Sequence, residues 1–320
     1  MTLLELNSTS KIVELDSIRY IFTSVMCVLL FFGIIFNCLN FLVFRQRKFR
    51  KSACALLCTT VSVINNLILI QGITRTILFL IDRESPENKS WIYCKFRFYI
   101  RHSLMMINRT CTILACAAAF ALSSNKAHIR SQASRISLIY YSISICVFFW
   151  FIIDIHLIFN KQLIANKCRL TQVYQFYFSI YLFLIAGIIS PILMIGFSLC
   201  TLRNLRRLRH RIRPQTRIFQ FSKRDTQLIR MLLMHVAVYM LTTFLYPVNM
   251  FYISLANDSL NQSIESFITF FIDDFLFYLN NIVPFLTYYL SSSSFRRECR
   301  ILWLKSIHVC LDFAFICSRS

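Results

Sequence analysis

Glycine and proline are scarce here, with four and five residues among 320. So few glycines leave no loop of the kind that cradles a phosphate. No Pro/Gly/Ser-rich stretch marks a linker, so the chain reads as one domain without internal repeats. Matched Gly/Pro breaks in two halves, the mark of an inverted-repeat transporter, are missing as well. Acidic residues are few, 14 against 35 Lys and Arg, for a formal charge of +21. No His/Cys cluster has metal-ligand spacing on a loop. Asp273 and Asp274 are adjacent, so on a helix they point ~100° apart and cannot face each other as a catalytic dyad. The expectation is therefore a protein that is not an enzyme and carries neither metal nor cofactor.

Apolar sequence is what the chain has in abundance. Its hydrophobic fraction is 57% and its mean hydropathy +0.59, which exclude an ordinary soluble domain. Seven apolar stretches run over Tyr20–Phe44, Ala53–Ile81, Cys94–Leu122, Ile136–Phe159, Val173–Leu202, Leu228–Leu255 and Ser266–Leu290. Each meets the ~20 residues a helix needs to cross a bilayer core. The expected fold is an all-α membrane protein, a seven-transmembrane helix bundle over 20–290. It has an outer N-terminal tail over 1–19 and a cytoplasmic tail over 291–320.

Charge sets the orientation. The loop after the first stretch carries Arg45, Arg47, Lys48, Arg50 and Lys51 without an acid. The loop after the third carries Lys126, Arg130 and Arg135. Beyond the fifth lie Arg203, Arg206, Arg207, Arg209, Arg211, Arg213, Arg217, Lys223, Arg224 and Arg230, against Asp225 alone. Basic loops stay in the cytoplasm on insertion, which puts the N-terminus outside and the C-terminus inside. Met1–Arg19 is polar and acidic, so no cleavable signal is expected. The charge lies beside membrane stretches, so anionic lipid and an acidic cytosolic partner explain it better than nucleic acid does. Sequons at Asn7, Asn88, Asn257 and Asn261 all fall on the expected outer side and are candidate glycosylation sites. A further match at Asn108 lies within the third stretch, beyond a glycosyltransferase's reach.

Most of the thirteen cysteines sit within apolar stretches, where Cys behaves as a small apolar residue. Cys94 and Cys168 alone fall at outer positions, and the oxidising outer face makes a bridge between them the natural reading.

Together these features resemble a rhodopsin-like G-protein-coupled receptor, over about Tyr20 to Trp303. Gly33 and Asn37 match the family's first-helix pattern, Trp150 its fourth-helix tryptophan, and Pro191 and Pro247 its fifth- and sixth-helix prolines. Tyr288, with Phe295 seven residues on, matches the seventh-helix tyrosine and the opening of an amphipathic eighth helix. The Lys48–Ser52 segment with Cys54 is similar to divergent receptor expansions of small invertebrates, a chemoreceptor-type group. The departures concern the switch. Ala118, Ala119 and Phe120 stand where the family keeps Asp-Arg-Tyr, Asn66 replaces the second-helix aspartate, and Asn108 is its third-helix neighbour. Losing the anionic ligand leaves a neutral amide, a poor ligand for sodium. Phe244-Leu245-Tyr246-Pro247 lacks the switch tryptophan, and Pro284 stands four residues before Tyr288, with Val283 at the usual asparagine place.

Charge inside the apolar stretches is costly, ~2.5–3.5 kcal/mol on insertion scales, so it marks the bundle interior. Arg97, Arg101, His102 and Arg109 lie on the third stretch, Asp154 on the fourth, and Asp273 and Asp274 on the seventh. Arg97, Arg101 and Met105 step by four and share a face. An Arg101–Asp274 pair at the floor of an outer cavity follows from the resemblance. It is open to two readings, a guanidinium that binds an anionic ligand or an internal salt bridge that fixes two helices. Asp154 is a possible partner of Arg109. His102 reads as a packed or lipid-interface side chain. Tyr246, Phe251 and Tyr278 are candidates to line the cavity, along with the aromatic cluster Tyr174, Phe176, Tyr177, Phe178 and Tyr181.

On the inner side, Arg203, Arg206, Arg207, Arg209 and Arg224 form a surface for anionic lipid or a G protein. Phe295, Ile301, Leu302 and Trp303 alternate with Arg296, Arg297 and Arg300 in an amphipathic helix. Cys299, Cys310 and Cys317 are candidate acylation sites. The functional expectation is a plasma-membrane receptor for an unknown small molecule or peptide, coupled to a heterotrimeric G protein. A non-coupling decoy or trafficking receptor, and a channel or transporter, remain as alternatives.

Overall fold

The computed structural model describes residues 3–46, 49, 52–82, 84, 86–124, 126–164, 167–211, 223–243, 245–255 and 264–304. Long helices dominate: α1 (Leu3–Phe44), α2 (Ala53–Asp82), α3 (Trp91–Leu122) and α4 (Ile136–Ile153), the last continued by a turn at His156–Asn160. A hairpin follows, β1 (Lys161–Ile164) antiparallel to β2 (Lys167–Leu170). Next, α5 comprises Gln172–Leu182, a π-helical turn at Phe183–Ile189, and Ser190–Arg211. α6 is Lys223–Thr243 with a further segment Leu245–Leu255; α7 is Ile264–Ser291, and a short α8 covers 293–304.

Six spans among the described residues are long and apolar enough to cross a membrane: Asp16–Phe44, Ala53–Asp82, Trp91–Leu122, Ile136–Asn160, Val173–Arg207 and Ile229–Asn249. α7 has the length but carries Asp273, Asp274, Asn280 and Asn281, all buried, and falls outside that set. The chain is thus a multi-pass helical membrane protein. The expectation of helices alone needs one correction, the paired strands β1 and β2: at four residues each they carry no apolar run for a sequence reading to detect.

The helices hold together by burying one face and leaving apolar side chains around the rim. α3 is central, with 67% of its apolar window buried, and it packs on α2, α4, α5 and α6. α4 is peripheral at 11%, and Tyr140, Tyr141, Phe148, Phe149 and Ile152 stand exposed along it, as a lipid-facing surface requires. α1 closes the ring against α2 and α7, and α7 packs on α6. Two glycines permit the closest approaches. A Cβ on Gly72 would lie 2.6 Å from the Tyr278 ring, and one on Gly33 would lie 2.7 Å from Leu69.

A buried amide relay ties the centre. Asn37 Nδ2 donates to the backbone oxygens of Gly33 and Asn281, each at 3.0 Å, and Asn65 Nδ2 donates to Asn37 Oδ1 at 3.5 Å. Asn108 Nδ2 donates to Asn65 Oδ1 at 2.9 Å and to Asn281 Oδ1 at 3.4 Å. This corrects the assignment of Asn66 to the second-helix site. Asn65 faces the interior, whereas Asn66 is half-buried and turned to Cys38 Sγ at 3.6 Å. The four linked amides carry no charge.

At the end opposite the hairpin, Ala118 and Ala119 are buried among Leu57, Met194, Ile229, Leu232, Val236 and Tyr239. Phe120 is half-buried against Phe197, 6.1 Å between centroids. Pro191 is the second residue of the last segment of α5, just after the π-helical turn, and Pro284 sits inside α7. Tyr288 is buried with Phe44 and His235, its hydroxyl 3.8 Å from Cys58 Sγ. After α7, Ser292 Oγ accepts from the Phe295 backbone N–H at 3.2 Å and starts α8 as an N-cap does. Arg296 Nη1 donates to the carbonyls of Tyr289 and Leu290, 2.9 Å each, and so satisfies the open carbonyl end of α7. Phe295 points into the core while Ile301, Trp303 and Leu304 stay exposed.

Candidate ligand site

The hairpin end of the bundle is built around the first four turns of α3. Ser90 caps that helix by accepting from the Tyr93 backbone N–H at 3.4 Å, and Cys94 in its first turn is disulfide-bonded to Cys168 in β2. The bond pins the hairpin over the helix. Asn88 Oδ1 accepts from the Cys168 N–H at 2.9 Å and ties the preceding loop to the same point. Asn88 is half-buried in this role. The side chain of Asn7 and residues Asn257 and Asn261 lie outside the described residues.

Side chains at successive turns of α3 then face inward. Arg97 Nη1 pairs with Glu87, which the loop turn Pro86–Asn88 carries inward, and Arg75 Nε of α2 meets the same carboxylate at 3.0 Å. One turn deeper, Arg101 Nη2 lies 3.4 Å from Asp274 Oδ1 of α7. Thr76 Oγ1 donates to Asp274 Oδ2 at 3.2 Å. The Arg101 guanidinium also rests 5.5 Å from the Phe277 ring centre and 5.9 Å from that of Tyr278. A cation over two aromatic faces gains electrostatic support from the ring quadrupoles.

Beside Arg101 lies a small cavity lined by Phe98, Arg101, His102, Met105, Phe178, Leu182 and Tyr246. Among the described residues its walls are apolar and aromatic apart from Arg101 and His102, a mixture of the kind small-ligand pockets have. Lys161 on β1 is 8% exposed, with Nζ 4.3 Å from the Phe98 ring centre. Burial, reinforced by the nearby Arg97, Arg75 and Arg101, pushes its ammonium down from 10.5 to about 8.

The structure joins Arg101 to Asp274, places Met105 and Tyr246 on the cavity, and sets Tyr278 under the guanidinium. Arg97 is held instead by Glu87, and Phe251 stacks on Phe183 with 5.3 Å between centroids, away from the cavity lining. His102 is buried and lines the cavity with Phe178 edge-on at 5.1 Å, the packed one of its two expected settings. Asp154, fully buried, is approached by His102 Nε2 at 3.7 Å, whereas the Arg109 nitrogens Nη1 and Nη2 have no hydrogen-bond partner among the described residues. The expected Arg109–Asp154 pair therefore does not form: Asp154 ends α4 near the hairpin, nearer the turn of His102 than that of Arg109. Trp150 donates from Nε1 to Thr110 Oγ1 at 2.8 Å and locks α4 to α3. Sequence reading missed Glu87, Lys161, Phe98 and Thr76, which lie on a loop, a hairpin and helix positions with no motif of their own.

Arg203, Arg206 and Arg207 are exposed at the opposite end; the side chains of Arg209 and Arg224 lie outside the described residues, as do Cys310 and Cys317. Compared with known proteins, the chain matches no protein-family model and no curated protein.

Proposed function

We propose that this chain is a seven-pass receptor of the rhodopsin-like kind, set in the plasma membrane with its N-terminus and hairpin outside. α7 is the seventh crossing, its acids and amides turned to the bundle rather than to lipid. The observation that carries the reading is the Arg101–Asp274 pair beside an apolar cavity. A guanidinium held at 3.4 Å by one carboxylate oxygen is poised to exchange that partner for a ligand's acid, linking occupancy to the α3–α7 contact. The basic ends of α5 and α6 are the docking surface for an acidic partner, a heterotrimeric G protein, and for anionic inner-leaflet lipid.

Ala118 and Ala119 favour a second reading, a receptor that binds without coupling. They are packed in an apolar cluster with no charge to present to a partner. Nucleotide exchange on a panel of G-protein α-subunits separates the two, using membranes with the parent chain or with Ala118→Asp plus Ala119→Arg. The coupled reading expects exchange above empty membranes from the parent. Exchange from the double variant alone supports the decoy, and ion flux without exchange supports a channel.

A further inference from the structure

Arg97 has an unfilled fork. The residue is 5% exposed, and Nη1 holds Glu87, yet Nε and Nη2 are buried with no hydrogen-bond partner among the described residues. Those two nitrogens share one edge of the guanidinium, the edge that grips two oxygens of an oxyanion at once. Lys161 on β1, which packs against α3, lies near enough for the Arg97 charge to act on its ammonium, and its described partner is the Phe98 ring. Glu87, the carboxylate that Arg97 holds, also accepts from Arg75 Nε at 3.0 Å. Buried cations left with donors to spare are costly unless an anion completes them. Phe98, whose ring centre lies 4.3 Å from Lys161 Nζ, is also a wall of the cavity, so Lys161 borders that cavity.

We propose that Arg97 and Lys161 form an oxyanion subsite beneath the hairpin that takes the phosphate monoester group of an amphipathic ligand. The apolar body of that ligand enters the cavity between Phe98, Met105, Phe178 and Tyr246. A phosphate monoester brings close to two negative charges and three acceptor oxygens, enough for the fork and the ammonium together. A lone carboxylate would only duplicate Glu87. The phosphate can come from a soluble organic ester or from a phosphomonoester lipid of the outer leaflet. The inference rests on the cavity being a ligand site, and its test is binding, which does not depend on coupling.

The test is thermal unfolding of the full chain in zwitterionic nanodiscs, titrated with phenyl phosphate, phenylacetate or a lysophospholipid monoester. Phenyl phosphate is expected to raise Tm with a half-saturating concentration roughly tenfold below that of phenylacetate. Lys161→Met, which removes an ammonium without a described carboxylate, is expected to fold with an unchanged or higher Tm. It should lose the phosphate preference but keep the phenylacetate response through Arg101. Lys161→Arg should retain the preference, and it serves as the variant of record if the methionine variant does not fold. A shift with the lipid alone supports the subsite and assigns it to a membrane source. Phenylacetate matching both phosphates overturns the subsite while leaving the cavity as a ligand site; no shift with any probe overturns both.

Discussion

Asp274 anchors more than one group: it pairs with Arg101 and accepts from Thr76, and it is 2% exposed. Removing it leaves the guanidinium facing two rings with no described carboxylate. Asp274→Ala is therefore expected to lower stability by about 3 kcal/mol, the low end for a broken buried pair because Arg101 keeps some contact with water. Thermal unfolding in detergent reads this directly, and an unchanged Tm would show that the pair contributes nothing. That both charges turn inward was legible in the sequence, because charge in an apolar stretch is costly toward lipid; that Arg101 and Asp274 face each other was an implication of the resemblance. The amide relay was only half legible. Asn65-Asn66 and Asn280-Asn281 are doublets, and composition cannot say which member faces in; helix rotation, fixed by packing, selects Asn65 and Asn281. Arg109 and Asp154 fail as a pair for a similar reason, since Asp154 ends its helix at the level of His102.

Among the elements, the apolar length marks the middle of each long helix but not its ends, since α1 begins at Leu3 in the polar segment and α5 runs on through its basic flank to Arg211. It does not mark the hairpin, because strands of four residues owe their form to the disulfide and to Asn88 rather than to a pattern. Nor did the π-helical turn in α5 announce itself, although Pro191 lies just after it. Proline withholds an N–H, and just before it the Ser190 backbone N–H and hydroxyl both donate to the Ile185 carbonyl, the hydroxyl at 2.7 Å. The disulfide closes a separation of 74 residues. Cys94→Ser with Cys168→Ser is expected to cost about 2–4 kcal/mol and to release the hairpin from the cavity. The check is unfolding together with proteolysis at the hairpin. Equal protection of both forms would mean that Asn88 and strand packing suffice.

For the whole molecule, the residues divide the bundle into two unlike ends. One carries the disulfide, the hairpin and a cation-lined cavity; the other is sealed by alanines and apolar side chains and rimmed by exposed arginines. The number of crossings and their direction decide what this asymmetry means, since a ligand cavity at that end serves a receptor only if it opens outward. Six apolar spans are plain, and α7 is the proposed seventh, its acids and amides buried in the bundle. The central claim is an odd number of crossings with the hairpin outside. Its most direct test is labelling of Lys89→Cys and Arg206→Cys chains with a membrane-impermeant maleimide, scored against the parent chain in intact and permeabilised cells. The account predicts that Lys89→Cys labels in intact cells and Arg206→Cys only after permeabilisation. Labelling of Arg206→Cys in intact cells would turn the cavity to the cytosol and contradict the receptor reading.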